Sequence, residues 1–188
     1  MIDKFNSPLG ARGHITLIRH TSVACGPTIC YGQTDVDVAE SFMEEAEKVK
    51  QKLDNRTFDA VYSSPLQRCT KLANFCGYNN PIWDKRLMEL NFGDWENTPW
   101  TEISDPHLQN WYADWINTRT TNGESFADQV ERVGQFLEEL KATNLKNVLI
   151  FTHAGVIRAI AILLGLVEIN QAFSDYKVEY GEVVNINT

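Results

Sequence analysis

Residues 15–20 read ITLIRH, a run of four mostly β-branched side chains that ends in an arginine and a histidine. Two further runs, AVY at 60–62 and VLIF at 148–151, are also β-branched or aromatic and show little polar alternation. Strands that are buried on both faces of a parallel sheet have this pattern. We therefore predict that residues 15–18 and these two runs are strands of one parallel sheet.

Helical patterns lie between the predicted strands. Apolar side chains recur at helical spacing in two stripes, which are Phe42, Ala46, Val49 and Leu53, and Phe126, Val130, Val133, Leu137 and Leu140. Ser64 before Pro65 predicts a further helix start, Ser125 with Asp128 predicts a capping box, and a last helix is expected over 154–166. Strands that alternate with helices indicate an α/β fold with right-handed crossovers.

The composition limits the possible functions. The chain has 188 residues, 43% hydrophobic and 22% charged, which indicates a single domain over 1–188. Its formal net charge of −8 disfavours binding to nucleic acid or to anionic membranes. The first ten residues, MIDKFNSPLG, lack the apolar core of a signal peptide, and the longest uncharged apolar run, 159–167, is too short to span a bilayer. We therefore expect a cytoplasmic protein.

The middle of the chain is rich in tryptophan and is punctuated by Pro99 and Pro106, which predicts a helical cap inserted at about 94–123. The four cysteines, at positions 25, 30, 69 and 76, form no CxxC pair and no familiar zinc spacing. We therefore expect buried or incidental thiols rather than disulfides or metal ligands.

Polar residues end each predicted strand, at the edge where open parallel sheets bind their ligands. The first run ends in Arg19 and His20, the last leads into His153, and Arg68 lies one helical turn beyond the second run. Each of these residues taken alone is more often structural than functional. Together, two arginines and two histidines would form a cationic pocket beside helix N-termini, which suits phosphate.

Phosphoryl chemistry at such a pocket needs a nucleophile and a proton donor. The sequence has no Walker A loop and no paired-aspartate metal motif. A neutral imidazole can attack phosphorus directly, because an ordinary pKa of about 6.5 leaves it a lone pair near pH 7. Glu89 lies in an otherwise apolar stretch, which favours the protonated form that a general acid needs. A solvated strand glutamate fits the spacing equally well.

Five segments resemble, in chain order, the motifs of the histidine phosphatase superfamily, also called the phosphoglycerate mutase-like family. They are LIRHT at 17–21, SSPLQR at 63–68, LMELNFGDWE at 87–96, GES at 123–125 and THAG at 152–155. The resemblance covers nearly the whole chain. It implies a three-layer α/β sandwich, with a mainly parallel sheet and helices on both faces.

This resemblance also implies a reaction, the hydrolysis of phosphomonoesters through a phosphohistidine on His20. Arg19, Arg68 and His153 would hold the phosphoryl oxygens, and Glu89 would be the proton donor. No cofactor and no metal ion would be needed. Hydrolysis is preferred to mutase chemistry, because the chain lacks the long insertions typical of the glycolytic mutases.

A finer resemblance concerns the substrate. Arg-His-Thr followed by CYGQTDV at 30–36 is similar to the phosphatases that act on α-ribazole 5′-phosphate in assembling the nucleotide loop of cobalamin. Threonine in this motif is a departure, since most members of the superfamily have glycine there. The substrate contacts implied by the resemblance come from Thr21, Tyr31, Gly32, Gln33 and Ala154.

The aromatic side chains of the cap have two interpretations. They could stack on a benzimidazole base, or they could fill a small core of the cap itself. The residues concerned are Trp95, Trp100, Trp111, Tyr112 and Trp115.

Three other functions remain as alternatives. A broad-specificity or sugar-phosphate phosphatase of the same family and a non-catalytic phosphate-ligand binding module are two of them. The third is a metal protein that uses His20, His153, Cys25 and Cys30, but the neighbouring arginines would repel a cation. In the first two cases, as in the preferred one, the partner is a small-molecule phosphomonoester.

Overall fold

The computed structural model describes residues 13–187. The stretch at 1–10, to which the expectation about a signal peptide refers, lies outside them. Seven strands occur in the described part of the chain: β1 (His14–Arg19), β2 (Ile29–Cys30), β3 (Ala60–Ser63), β4 (Ile82–Trp83), β5 (Thr98–Pro99), β6 (Asn147–Thr152) and β7 (Val183–Asn187). Five of them form a central sheet in the order β4-β3-β6-β1-β7, and β2 pairs separately with β5.

The three runs predicted from the sequence form the middle of the central sheet. β6 pairs in parallel with β1 on one side and with β3 on the other. The register sets Arg19 opposite Thr152 and Ser63 opposite Phe151, so the three strands end at one edge. The predicted parallel sheet is therefore confirmed, and the antiparallel β7 beside β1 makes the whole sheet mainly parallel.

The helices form a layer on each face of the sheet. They are α1 (Phe42–Leu53), α2 (Gln67–Phe75), α3 (Leu108–Ala113), α4 (Phe126–Lys141) and α5 (Ala154–Leu163). Leu17 of β1 packs in one apolar core with residues of α4 and α5. Its neighbour Ile18 points to the opposite face and packs with residues of α1 and α2. This arrangement confirms the three-layer α/β sandwich.

The two predicted helix starts differ in outcome. α4 begins with the predicted capping box, in which Ser125 Oγ accepts the N–H of Asp128 at 3.2 Å and the Asp128 carboxylate accepts the N–H of Ser125 at 2.8 Å. The predicted cap at Ser64 is wrong, because α2 begins only at Gln67 and has no side-chain cap. The Ser64 hydroxyl instead lies 2.8 Å from Nε2 of His153.

Segment 94–123 is less helical than predicted. Its α helix, α3, has six residues, and much of the rest is short 3-10 turns and irregular chain. Trp111 packs against Trp95 and Trp100, at ring-centroid distances of 5.5 and 6.1 Å. Trp95 is buried. Trp95 and Trp111 therefore belong to a small aromatic core of this segment.

Three further expectations can be compared with the described residues. α5 ends at Leu163, before the predicted end at 166. No helix among residues 13–187 is long and apolar enough to cross a bilayer. The four cysteines are free thiols, of which Cys30 and Cys69 are buried.

Candidate active site

The two predicted histidines meet at the carboxyl edge of the sheet. His20 follows β1 and His153 follows β6, and the pairing of these strands is continued by the N–H of His20, which donates to the Thr152 carbonyl at 3.0 Å. The two rings contact each other edge to face, with centroids 5.1 Å apart. Both side chains are buried.

A backbone contact determines the tautomer of His20. Its Nδ1 lies 2.7 Å from the carbonyl oxygen of Thr21. A carbonyl oxygen can only accept, so Nδ1 carries the hydrogen and Nε2 keeps a lone pair. Burial, and after it the charges of Arg68 and Arg19, hold the pKa of His20 well below its usual range, against the opposing effect of the Thr21 hydrogen bond. His20 is therefore a neutral imidazole with one free nitrogen.

Arg68 is buried at the start of α2, and loop carbonyls fix its orientation. Nη2 donates to the carbonyl of Gly32 at 2.7 Å, and Nη1 donates to that of Thr34 at 2.9 Å. Nε donates to Nδ1 of His153 at 3.4 Å. No carboxylate of the described residues forms an ion pair with Arg68, so its charge is left for an anion.

Arg19 is the second cation of the site. Its guanidinium carbon lies 3.7 Å from the centre of the Tyr180 ring, and Nη1 donates to the carbonyl of Val178 at 2.7 Å. Nε is buried and has no hydrogen-bond partner among the described residues. A buried N–H without an acceptor is costly, and an anion at this position would satisfy it.

His153 is held from both sides of its ring. Because Arg68 Nε must be the donor to Nδ1, the neutral ring carries its hydrogen on Nε2 and donates it to Ser64 Oγ at 2.8 Å. Burial lowers the pKa of His153 well below its usual range, and the charge of Arg68 and the neighbouring His20 add to this effect. In this structure Ser64 Oγ therefore accepts the one ring N–H of His153.

Glu89 lies in the wall of a cavity beside Arg19. One carboxylate oxygen accepts from the Leu90 N–H at 3.0 Å and from Nε2 of Gln129 at 3.1 Å, and the other accepts from the Gly155 N–H at 3.3 Å. All three contacts come from N–H donors, so hydrogen bonds hold both oxygens of the carboxylate. A Cβ on Gly155 would overlap the carboxylate, so glycine is required for this close approach.

The cavity has a volume of about 300 Å³ and a largely apolar wall. Its lining residues come from the loops after β1, from segment 87–100 and from α4, α5 and the chain before β7. They are Arg19, Pro27, Ile29, Tyr31, Gly32, Glu89, Leu90, Phe92, Trp100, Gln129, Gly155, Arg158, Phe173 and Tyr180.

The predicted substrate contacts are distributed unevenly around this cavity. Tyr31 and Gly32 line it. Thr21 is buried next to His20, and its hydroxyl has no hydrogen-bond partner among the described residues. Gln33 and Ala154 are not part of the lining, and Nε2 of Gln33 donates to the main-chain carbonyl of Glu89 at 3.0 Å. Gln33 therefore contacts the main chain at Glu89 rather than the cavity.

Sequence reasoning missed two polar side chains of the cavity wall, Gln129 and Arg158. Gln129 lies three residues after Phe126 and four before Val133, on the buried face of α4. Arg158 interrupts the apolar run of α5. A polar side chain on a buried helix face is the signal that would have found both.

The alternative of a metal site gains no support from the geometry. Within residues 13–187 no group of three or more histidine, cysteine, aspartate and glutamate side chains is arranged to hold a metal ion. Cys69 Sγ lies 3.5 Å from Nε2 of His153, but burial raises the pKa of this thiol to about 12. Cys69 is therefore a protonated thiol at neutral pH.

Comparisons with known proteins agree with this geometry. The sequence model of the histidine phosphatase superfamily (branch 1) matches residues 15–187. The adenosylcobalamin/alpha-ribazole phosphatase of Escherichia coli is 28% identical over 182 residues, which are 91% of this chain and 89% of that protein. The putative phosphoserine phosphatase 2 of Hydrogenobacter thermophilus is 28% identical over 156 residues, 79% of this chain and 76% of that protein.

A solved structure gives the same result. The crystal structure of a putative alpha-ribazole-5′-P phosphatase from Escherichia coli superimposes with a TM-score of 0.83 at 25% identity. The superposition covers 93% of this chain and 90% of that one. This chain therefore shares its fold with that structure over nearly its whole length.

Proposed function

Because this chain belongs to the histidine phosphatase superfamily and is a phosphatase, we propose that it hydrolyses α-ribazole 5′-phosphate through a phosphohistidine on His20. The observation that carries the mechanism is the neutral, buried imidazole of His20, whose free Nε2 lies in a site with two arginines. A lone pair at this nitrogen, with cations close by, is what attack on a phosphoryl group requires.

The reaction has two steps. In the first, His20 Nε2 forms a bond to phosphorus while the bond from phosphorus to the ester oxygen breaks, and protonated Glu89 gives its proton to the leaving oxygen. In the second, Glu89 takes a proton from water, the water oxygen bonds to phosphorus, and the bond to Nε2 breaks to release phosphate. Arg19 and Arg68 bind the phosphoryl oxygens in both steps, and His153 joins them by turning its one ring N–H from Ser64 to a phosphoryl oxygen.

The substrate assignment is supported by the cavity and by the relatives. The cavity wall contains aromatic rings, among them Tyr31, Phe92, Trp100 and Phe173, which suit an apolar base such as benzimidazole. One relative and one structural neighbour are named as phosphatases of α-ribazole phosphate. In this proposal segment 94–123 is the cap of a single domain over 1–188, and it contributes Trp100 to the substrate cavity.

A second candidate is a phosphatase of broader specificity. It is favoured by the relative named as a putative phosphoserine phosphatase, which is as similar to this chain as the α-ribazole phosphatase is. Both candidates use the same reaction. They differ in the alcohol part of the ester.

A phosphate-release assay over α-ribazole 5′-phosphate, sugar phosphates, phosphoserine and nucleotides tests the assignment. We expect kcat/KM for α-ribazole 5′-phosphate to exceed that for sugar phosphates by at least tenfold, about 1.4 kcal/mol. A flat profile would support the broader phosphatase. Absence of turnover with every ester would support a binding module instead.

Two controls test the mechanism in the same assay. His20→Ala is expected to abolish turnover of every ester, because the covalent step needs Nε2. Exhaustive chelation is expected to leave the rate unchanged, since Arg19 and Arg68 supply the positive charge that Mg²⁺ supplies in other phosphoryl-transfer enzymes. Turnover by His20→Ala, or a loss on chelation that an added metal restores, would overturn the phosphohistidine mechanism.

A further inference from the structure

Arg158 is a fixed cation in the wall of the cavity. It lies on α5, and its Nε donates to the carbonyls of Ala172 at 3.0 Å and Tyr176 at 3.1 Å. Its guanidinium carbon lies 4.5 Å from the centre of the Phe173 ring. These contacts hold the planar group in one orientation, so little side-chain entropy remains to be lost on binding.

The terminal nitrogens of Arg158 are unused. Neither Nη1 nor Nη2 donates a hydrogen bond to a described residue, and no carboxylate of the described residues forms an ion pair with Arg158. Arg132 is different, because all three of its guanidinium nitrogens donate to protein oxygens, at Arg86, Glu89 and Glu124. Arg158, whose Nη1 and Nη2 donors are unused, lines the cavity.

The environment of Arg158 favours an oxygen ligand. Burial lowers the pKa of Arg158 from its ordinary value, against the opposing charge of Glu89. A partly desolvated guanidinium gains more from a hydrogen-bond acceptor than an exposed one does, because less water competes for its N–H groups.

The position of Arg158 separates it from the phosphoryl group. Arg158 lies three residues after Gly155 on α5, Gly155 donates its N–H to the Glu89 carboxylate at 3.3 Å, and all three residues line the cavity. The charges that act on the pKa of His20 are instead those of Arg68 and Arg19. In the proposed reaction Glu89 faces the leaving oxygen of the ester. A cation on the Glu89 side of the cavity therefore faces the alcohol part of the substrate.

From these observations we propose that Arg158 is a specificity-determining residue, which donates from Nη1 and Nη2 to oxygen atoms of the alcohol part of the ester. The substrates it selects are phosphomonoesters whose alcohol carries hydroxyl or carboxylate oxygens. The inference rests on the proposed function, since it assumes that the ester occupies this cavity. It assigns a role to a residue that does not take part in the chemistry.

The test compares Arg158→Met with the unmodified protein on three esters. Ribose 5-phosphate carries hydroxyls, phosphoserine carries a carboxylate, and phenyl phosphate has no oxygen outside the phosphate group. We expect KM to rise about tenfold for the first two esters and less than twofold for phenyl phosphate, with kcat little changed. Arg158→Lys should restore part of the loss for phosphoserine, because it keeps the charge but not the two-pronged geometry.

Two controls show whether the variants are intact. Arg56→Met removes an arginine at the opposite end of β1, where it donates to the Thr16 hydroxyl at 2.6 Å, and it should leave all three KM values unchanged. The inhibition constant of inorganic phosphate should be the same in Arg158→Met and the unmodified protein, since phosphate uses only the phosphoryl site.

Different outcomes would overturn the role of Arg158 and the proposed substrate. An equal rise of KM for all three esters, or no rise for any, would overturn the role of Arg158. Failure of the α-ribazole preference in the unmodified protein would overturn the substrate assignment, while the comparison of ribose 5-phosphate with phenyl phosphate would still report on Arg158.

Discussion

The hydrogen bond from His20 Nδ1 to the Thr21 carbonyl leaves Nε2 as the ring nitrogen with a lone pair. The two arginines nearby are oriented by main-chain carbonyls rather than by carboxylates, at Val178 for Arg19 and at Gly32 and Thr34 for Arg68. A carbonyl orients a guanidinium without neutralising it. The site therefore keeps its positive charge for an anion, and burial together with this charge keeps the imidazole of His20 unprotonated.

The loss of activity in Glu89→Gln is expected to depend on the leaving group of the ester. The variant cannot donate a carboxyl proton, so turnover of alkyl phosphates should fall by about 10² to 10⁴. The burst of p-nitrophenol that reports phosphorylation of His20 should change little, because this leaving group departs without a proton, whereas the later hydrolysis step still lacks its base. A series of esters with graded leaving-group pKa measures the effect, and equal losses across the series would show that Glu89 only positions the substrate.

Gln129 can form a hydrogen bond with Glu89 whether the carboxyl group is protonated or ionised. Its amide nitrogen donates to the Glu89 carboxylate, while its amide oxygen is buried and without a partner among the described residues. Protonated Glu89 could donate to that oxygen if the amide turned over, whereas ionised Glu89 needs the nitrogen. In the proposed two-step reaction, this buried glutamine can thus satisfy Glu89 in both of its protonation states.

The loop after β2 holds Arg68, which is proposed to bind phosphate. Main-chain carbonyls at Gly32 and Thr34 accept from Arg68, and the Glu96 carboxylate holds this loop by accepting from the N–H groups of Gln33 and Thr34 at 2.8 and 2.5 Å. The same carboxylate accepts the N–H of Phe92 at 3.0 Å. Glu96 therefore joins the loop to the segment that carries Glu89.

Glu96→Gln should loosen this loop. The amide nitrogen would face N–H donors, so at least one hydrogen bond to the loop would be lost, and Arg68 would lose its fixed orientation. We expect the inhibition constant of inorganic phosphate and KM for every ester to rise about tenfold. Glu102→Gln, at an exposed position in segment 94–123, is the matched control. Unchanged phosphate inhibition in Glu96→Gln would contradict a positioning role.

The elements that could be predicted are those whose signals are local. Buried strands and the box at Ser125 depend on residues a few positions apart, and the structure has them where the sequence placed them. Ser64 fits a helix cap equally well in sequence, but a partner 89 positions away, His153, engages its hydroxyl. β7 was missed because its pairing with β1 depends on contacts distant in sequence.

The candidate site follows the same rule. The ends of strands could be aligned from the sequence, because parallel pairing brings them to one edge, and that placed His20 beside His153. Gln129 and Arg158 reach the cavity from the buried faces of two helices. A polar side chain on a buried face marks each of them in the sequence, but which face turns toward the cavity depends on tertiary packing, so the sequence does not assign them to this site.

Although its net charge is −8, the chain places four arginines at one edge of its central sheet, one of them paired with Glu124. Arg19, Arg68, Arg132 and Arg158 all lie at or next to the cavity or the buried histidines. Burial of His20 and His153 beside them keeps both rings neutral. If the proposed mechanism holds, activity and stability depend on the same two histidines and respond to pH together.

The free energy of unfolding should fall as the pH drops below about 6.5. Unfolded histidines take up protons near this value, whereas His20 and His153, whose pKa values are well below it in the folded state, stay neutral. Their effect on stability is therefore absent above pH 6.5 and grows below it, by about 1.4 kcal/mol per pH unit for each histidine. Urea unfolding at several pH values between 7.5 and 5 measures the slope, and His20→Gln should remove about half of it. A stability that stays constant from pH 6.5 to 5 would show that the two rings are protonated in the folded protein.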